Sequence, residues 1–404
     1  MKKGFLLSVA FFYSTSVQAY EYIFEPVFNS SERYESNLFM QPTPRQGNWI
    51  STLSPALNFG LRHETGELNS TLTWNQLLYN NQSELDRAEQ LFSSRYQHQF
   101  QRFNWSLGGG YNNQSSLNSE TTPAGILSTQ VTSKNISLSP SVSYTLDELN
   151  TLSVNYAYSK ATYSKTTANI FLSDYTNQQV SSSLSHVYSQ RDSYNVSISG
   201  TLYETQPQFV IIPRQTTYNY VTQLGWQHRF SEQLSTSLSG GINYSQFEST
   251  QQIPAFFSGI QFVPASTVTT QQNNFGMVFS ASITKSFERS SISFSGSQNQ
   301  SPSAVGTQTQ QQLSINTSYM IDDRWSSALS ASYNKSDITG QSNSSFNRTY
   351  YSLNPNINWK CSPEINLGLS YTYRQQEFLN SNTQSSLGNT VQLNFSYQPK
   401  LNLR

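Results

Sequence analysis

The chain has 404 residues, of which 11% are charged, 35% hydrophobic and 14% aromatic, and its formal net charge is zero. Charge this sparse falls well below the roughly 25% of ordinary soluble domains, and a neutral chain offers nucleic acid no electrostatic foothold. The aromatic content excludes a disordered polar chain, and the single cysteine, Cys361, excludes an internal disulfide framework.

The chain opens "MKKGFLLSVAFFYSTSVQAY". Lys2 and Lys3 precede an apolar stretch from Phe5 to Tyr13, and Val17-Gln18-Ala19 has the small-residue spacing of a signal-peptidase site. The expectation is a secretory signal peptide over 1–19 and an exported domain over 20–404 with no internal boundary. No apolar run of about 18 residues, the length of a membrane-spanning helix, occurs.

From there the dominant pattern has period two. It runs through Leu68, Leu72 and Trp74, then Leu152, Val154, Tyr156 and Tyr158, then Leu234, Leu238 and Ile242. Later it passes through Phe275, Met277, Phe279 and Ile283, then Ile365, Leu367, Leu369 and Tyr371, and finally Val391, Leu393 and Phe395. Successive strand side chains point to opposite faces, so each run makes a strand with one apolar and one polar face. Short polar turns punctuate the runs near residues 65–67, 101–102, 147–150, 191–193, 231–233, 288–290, 322–324 and 362–364. Between them lie longer segments at 35–48, 82–91, 115–130, 165–175, 207–215, 249–271, 301–305, 338–346 and 380–387. Eight short turns and nine long loops join about 18 strands. The fold expected is all-β: a transmembrane antiparallel up-and-down β-barrel of the Gram-negative outer membrane, with short periplasmic turns and longer extracellular loops.

Aromatic residues cluster at both strand ends, as two interfacial girdles require. Tyr144, Tyr188, Tyr194, Phe230, Phe287, Trp325 and Trp359 lie near short turns. Tyr79, Tyr111, Tyr163, Tyr203, Tyr218, Phe275, Tyr333 and Tyr373 lie near long loops.

The polar set faces the lumen, where about 18 strands enclose a space too wide for side chains to fill. It reads Asn69, Thr71, Thr73 and Asn75 in one strand and Gln392, Asn394 and Ser396 in another. By parity Glu25, Arg62, Arg95, Arg229, Arg348, Lys360 and Arg374 join it. Arg62, Arg95, Arg348 and Arg374 are candidates for a lining that attracts anions; cross-strand pairing or a place at the rim is the favoured alternative. The segment "STQQIPAFFSGIQFVPASTVTTQQ" (249–272) is unusually apolar for a loop. Phe256, Phe257 and Phe262 are candidates for an inward constriction, with a locally packed hairpin as the alternative.

Catalytic chemistry has little purchase. His98, His186 and His228 share the apolar parity of their strands and have no nearby Asp or Glu spaced for a triad or a metal site. His186 with a neighbouring Ser and Glu is the one candidate for a barrel-embedded lipid or lipopolysaccharide hydrolase. Asp322-Asp323 sits on a tight turn, where aspartate serves turn geometry. No catalytic, metal or cofactor residues are assigned.

The mature N-terminus reads "EPVFNSSERYESNLFM", followed by "STLSPALNFGLR". Over about 40 residues this resembles the outer-membrane β-barrel porin family associated with exopolysaccharide and capsule export loci. Tyr34, Glu35 and Asn37 stand where that family ends its first strand in Tyr, an acidic residue and Asn. Leu53, Pro55 and Leu57 match its "LxPxLxL" strand, while Ser36 stands where the family usually has Asp. The resemblance implies a porin-like barrel assisting exopolysaccharide or capsular polysaccharide export. Its partners would be outer-membrane lipid, the polysaccharide chain and a periplasmic export apparatus. A diffusion porin for small solutes or oligosaccharides is the alternative.

Overall fold

A computed structural model describes residues 20–43, 45–116, 131–164, 173–207, 212–258, 261–303, 306–338, 347–378 and 385–399. The expected signal peptide, 1–19, lies outside them. The chain forms β1 (Glu21–Glu35), β2 (Asn48–His63), β3 (Gly66–Tyr79), β4 (Arg87–Gln99), β5 (Phe103–Ser115), β6 (Thr132–Thr145) and β7 (Asn150–Tyr163). It continues with β8 (Asp174–Val187), β9 (Asp192–Gln206), β10 (Arg214–Arg229), β11 (Leu234–Ile253), β12 (Phe256–Ser258), β13 (Gln261–Val263) and β14 (Ser266–Ser286). The last strands are β15 (Ser290–Ser303), β16 (Gly306–Met320), β17 (Trp325–Ile338), β18 (Arg348–Lys360), β19 (Ile365–Phe378) and β20 (Ser386–Tyr397). All but β12 and β13 belong to one 18-stranded antiparallel sheet. Each strand pairs with its sequence neighbours, and β1 pairs with β20 from Phe28↔Tyr397 to Glu35↔Thr390, which closes the barrel. Closure pairs each strand on both sides through the middle of the wall, the condition for a sheet to stand in hydrocarbon.

The eight short turns fall where the punctuation places them. Five share one device: the first polar side chain accepts two backbone N–H groups. Asp147 takes those of Leu149 and Asn150, Ser189 those of Arg191 and Asp192, and Ser231 those of Gln233 and Leu234. Asp322 takes those of Arg324 and Trp325, and Ser362 those of Glu364 and Ile365. Such local side-chain bonds replace the ladder bonds a reversing strand loses. At Asp147 the Asn150 side-chain amide, aided by the Leu149 N–H, holds the carboxyl below its ordinary range.

The outer wall is apolar and uncovered: Leu224 is 65% exposed, Ile242 59% and Leu393 52%. In water this would be a very large exposed apolar surface; in a bilayer it is the solvated face. Rings mark its two borders. On the short-turn side Trp325 and Trp359 stack at 5.3 Å, and Tyr188 meets Tyr194 at 6.2 Å. On the long-loop side Tyr34 meets Trp49 at 5.2 Å, Tyr244 meets Phe275 at 5.0 Å, and Tyr333 meets Tyr351 at 5.1 Å.

Three rings assigned to that outer girdle by sequence position turn the other way. Tyr79, Tyr163 and Tyr203 are buried, at 4%, 5% and 2% exposure, on the inner face. Their odd parity in β3, β7 and β9 opposes the even parity of outward Leu72, Val154 and Val196, and one residue of offset flips a side chain through the wall. The apolar segment 249–272 also differs from a loop. β11 and β14 continue through it as a hairpin with twenty paired positions, Leu234↔Lys285 to Ile253↔Ser266, capped by the short β12–β13 pair. Its Gln- and Thr-rich flanks keep forming strand beyond the apolar band. Phe262 is 57% exposed on this projection. Phe256 and Phe257 pair with Val263 and Phe262 through the backbone, and their side chains lie outside the described residues.

Candidate functional site: the barrel lumen

The inner wall is built from small hydroxyl side chains that satisfy one another across neighbouring strands. Ser106 meets Ser141 at 2.7 Å, Ser295 meets Ser314 at 2.6 Å, and Ser332 meets Ser352 at 2.7 Å. Paired hydroxyls hold the lining flat and uncharged while leaving acceptor capacity for water or solute.

Toward the short turns the lumen holds a recess of about 600 Å³, lined by Arg62, Glu67, Arg95, Gln97, Asn104 and Ser141 among others. Arg62 sits between two carboxylates, Glu67 at 2.8 Å and Glu21 at 3.5 Å. Arg95 donates to Ser106 at 3.2 Å. Charge here is balanced within the wall.

Toward the long loops the lumen narrows, and two segments cause it. The first is the β1–β2 connection, which turns inward. Asn37 donates its side-chain amide to Leu387 O at 2.9 Å and to Gln41 O at 2.7 Å, and its Oδ1 accepts the Gln41 N–H at 3.0 Å. The Asn389 N–H donates to Ser36 Oγ at 2.8 Å, and the Ser36 N–H to Asn389 O at 2.9 Å. Serine thus fills the place where the resembled family usually has Asp. The turn puts Met40 at φ 48 and 1% exposure against Gly388 of β20, where a Cβ would stand 2.7 Å from its sulfur. Asn37→Ala is expected to cost roughly 1–3 kcal/mol, because it orphans the Leu387 carbonyl and the Gln41 N–H. A urea titration of the barrel in vesicles measures it.

The second is the start of β16, where Thr307 docks against β10 inside the barrel. By parity Thr307 belongs to the outer face of β16, with Leu313 and Ile315. Yet it is 6% exposed and its hydroxyl donates to Thr217, an inward residue of β10, at 3.3 Å. Gln300 and Thr307 share a small cavity of about 80 Å³ with Asn177, Tyr203, Thr217 and Asn219. The hairpin therefore runs inside the wall of β8–β10.

Between these segments lies a charged belt. Arg33 meets Glu35 at 3.4 Å, Arg374 meets Glu35 at 3.7 Å, and Arg87 meets Glu89 at 3.1 Å. Arg374 also donates to Thr390 at 3.0 Å, and Arg348 is 2% exposed. Four guanidinium groups thus share the belt with two carboxylates, so among the described inner residues the mouth is net positive. Of the four candidate arginines, Arg62 and Arg95 stand in the recess, and Arg348 and Arg374 in this belt. Sequence reasoning missed Arg33, Glu35, Arg87 and Glu89 as belt residues, although their parity with inward neighbours was readable.

The histidines lie on the outer face near the short turns. His186 Nδ1 lies 2.9 Å from Asn150 Oδ1. His228 does have a carboxylate beside it: Asp192 Oδ1 lies 2.7 Å from its Nδ1 and also accepts the Trp226 indole N–H at 3.0 Å. The pair is made across strands 36 residues apart, beyond any local spacing pattern.

No family model and no curated protein matches the chain. Among solved structures it is similar to the ferric-catecholate import receptor Fiu of E. coli K12 in its open form, with a TM-score of 0.52 at 8% identity, over 92% of this chain and 81% of that one. Pseudomonas aeruginosa OpdL gives a TM-score of 0.45 at 10% identity, over 94% and 99%. Acinetobacter baumannii OccAB1 gives 0.46 at 7%, over 94% and 97%. The likeness to Fiu is one of fold, a closed antiparallel barrel.

Proposed function

We propose that this barrel is an outer-membrane porin through which small hydrophilic solutes diffuse. The observation that carries the reading is the lumen itself: a charge-balanced wall, mostly hydroxyl and amide, leading to a mouth narrowed by Met40 on one side and Thr307 on the other. A narrowed, slightly positive mouth suits small neutral or anionic solutes better than a polymer chain. Export of an exopolysaccharide or capsular polysaccharide beside a periplasmic apparatus is the second reading. It is favoured by the N-terminal resemblance, whose Glu35 and Asn37 anchor the mouth. Purified barrel in a planar bilayer, with no partner present, is expected to give discrete conductance steps. Liposome swelling is expected with monosaccharides and to fade with longer oligosaccharides. A barrel that folds but conducts nothing without a partner would overturn the diffusion reading.

A further inference from the structure

The wall of the barrel is not zipped to its rim everywhere. β14 pairs with β15 only from Phe279↔Gln298 to Ser286↔Ser291. Beyond that point residues 266–278 of β14 pair with β11 alone, and residues 299–303 of β15 pair with β16 alone, among the described residues. A strand edge of this kind exposes a row of backbone donors and acceptors. The segment carries no charge or proline to blunt it, reading "STVTTQQNNFGMV".

Three further observations bear on this seam. The hairpin that left the edge is the one docked inside the barrel, through Thr307 on Thr217. Its docking region is polar: the side chains of Asn177, Asn219 and Gln300 line the small cavity beside Thr307. At the seam, Gln298 donates its side-chain amide to Met277 O at 2.7 Å, so a side chain occupies the first acceptor of the open edge. Continuing the existing register would set Asn299 opposite Val278 and Gln300 opposite Met277.

We propose that the β15–β16 hairpin is a gate with two resting places. In one Thr307 is docked on Thr217 of β10 and narrows the lumen. In the other residues 299–303 zip onto the open edge of β14, which completes the wall and clears the mouth. Each place satisfies groups that the other leaves open, so neither is overwhelmingly favoured, the condition for a switch. The outer-parity residues Gln298, Gln300, Thr307 and Gln311 are polar, as expected of a hairpin that spends time away from lipid. The gate rests on the porin reading for its consequence but not for its motion.

Two cysteine pairs test it in full-length protein carrying Cys361→Ser. Thr217→Cys with Thr307→Cys locks the docked place, and Met277→Cys with Gln300→Cys traps the zipped one. Under mild oxidant both pairs are expected to close within one folded chain. Conductance is expected to be at least halved by the first lock, raised by the second, and restored in both by reductant. If the first pair closes and the second never does, the hairpin is fixed and the gate falls. If neither pair closes, or Met277→Cys instead links two chains, the gate also falls. If both pairs close but no form conducts, the motion stands and the porin reading falls. If both close and conductance is unchanged, the hairpin moves without gating and the proposal fails.

Discussion

Leu369→Arg is expected to destabilise the barrel by about 2–4 kcal/mol, the cost of a cation at the bilayer midplane on the lipid face. Ser370→Arg, one residue further on, is expected to leave stability nearly unchanged. Leu369 lies mid-strand in β19, is 49% exposed, and is flanked across the sheet by Ile357 and Leu393. Its side chain points away from the lumen, so an arginine there must reach through hydrocarbon to find water. Ser370 faces inward between Asn356 and Gln392, where a guanidinium meets water and amides. Urea titration of both variants in vesicles, read by heat-modifiable gel migration, gives the comparison. A water-soluble barrel would reverse the order: arginine at an exposed leucine would be harmless. Equal stability of the two variants would therefore overturn the membrane-spanning reading.

The same alternation explains what was legible in the sequence. Leu369 and Leu393 announce a lipid face because nothing but lipid rewards leucine at an exposed position every second residue. Asp147, Asp322 and Ser362 announce turns because their oxygens cap backbone groups two and three residues away. Both signals are local. The narrowed mouth is not: Asn37 bonds a carbonyl 350 residues away, and Thr307 reaches Thr217 across 90. No periodic pattern encodes such distances. Partial signals did exist. Gln298, Gln300 and Gln311 carry the outward parity of their strands without its apolar chemistry, which marks a hairpin leaving the lipid. Tyr79, Tyr163 and Tyr203 were misplaced because nearness to a long loop was weighed above parity. The Asp192–His228 pair was hidden because its partners meet only once β9 and β10 are in register.

Arg374→Gln is expected to move the zero-current potential of the channel toward cations, with Glu35→Gln moving it toward anions. Arg374 is 9% exposed in the narrowed mouth, with Glu35 at 3.7 Å and Thr390 at 3.0 Å. Glutamine keeps an amide that can donate to Thr390 and removes the charge. A unit charge about 4 Å from a passing ion is worth about 1 kcal/mol in water, roughly five-fold in partition. That is an upper figure for one arginine among four. Arg95→Gln is the control: it also removes one charge, but in the wider recess, where an ion can pass further from the wall and screening is greater. Its shift is expected to be smaller. Raising salt to about 1 M, where the Debye length is about 3 Å, is expected to shrink every shift. A purely structural role for Arg374 predicts something else: a lower urea midpoint with selectivity unchanged. Opposite shifts from the two substitutions at one ion pair can arise only if permeating ions pass within reach of it, which places the selectivity-determining point at the mouth rather than in the serine-lined recess.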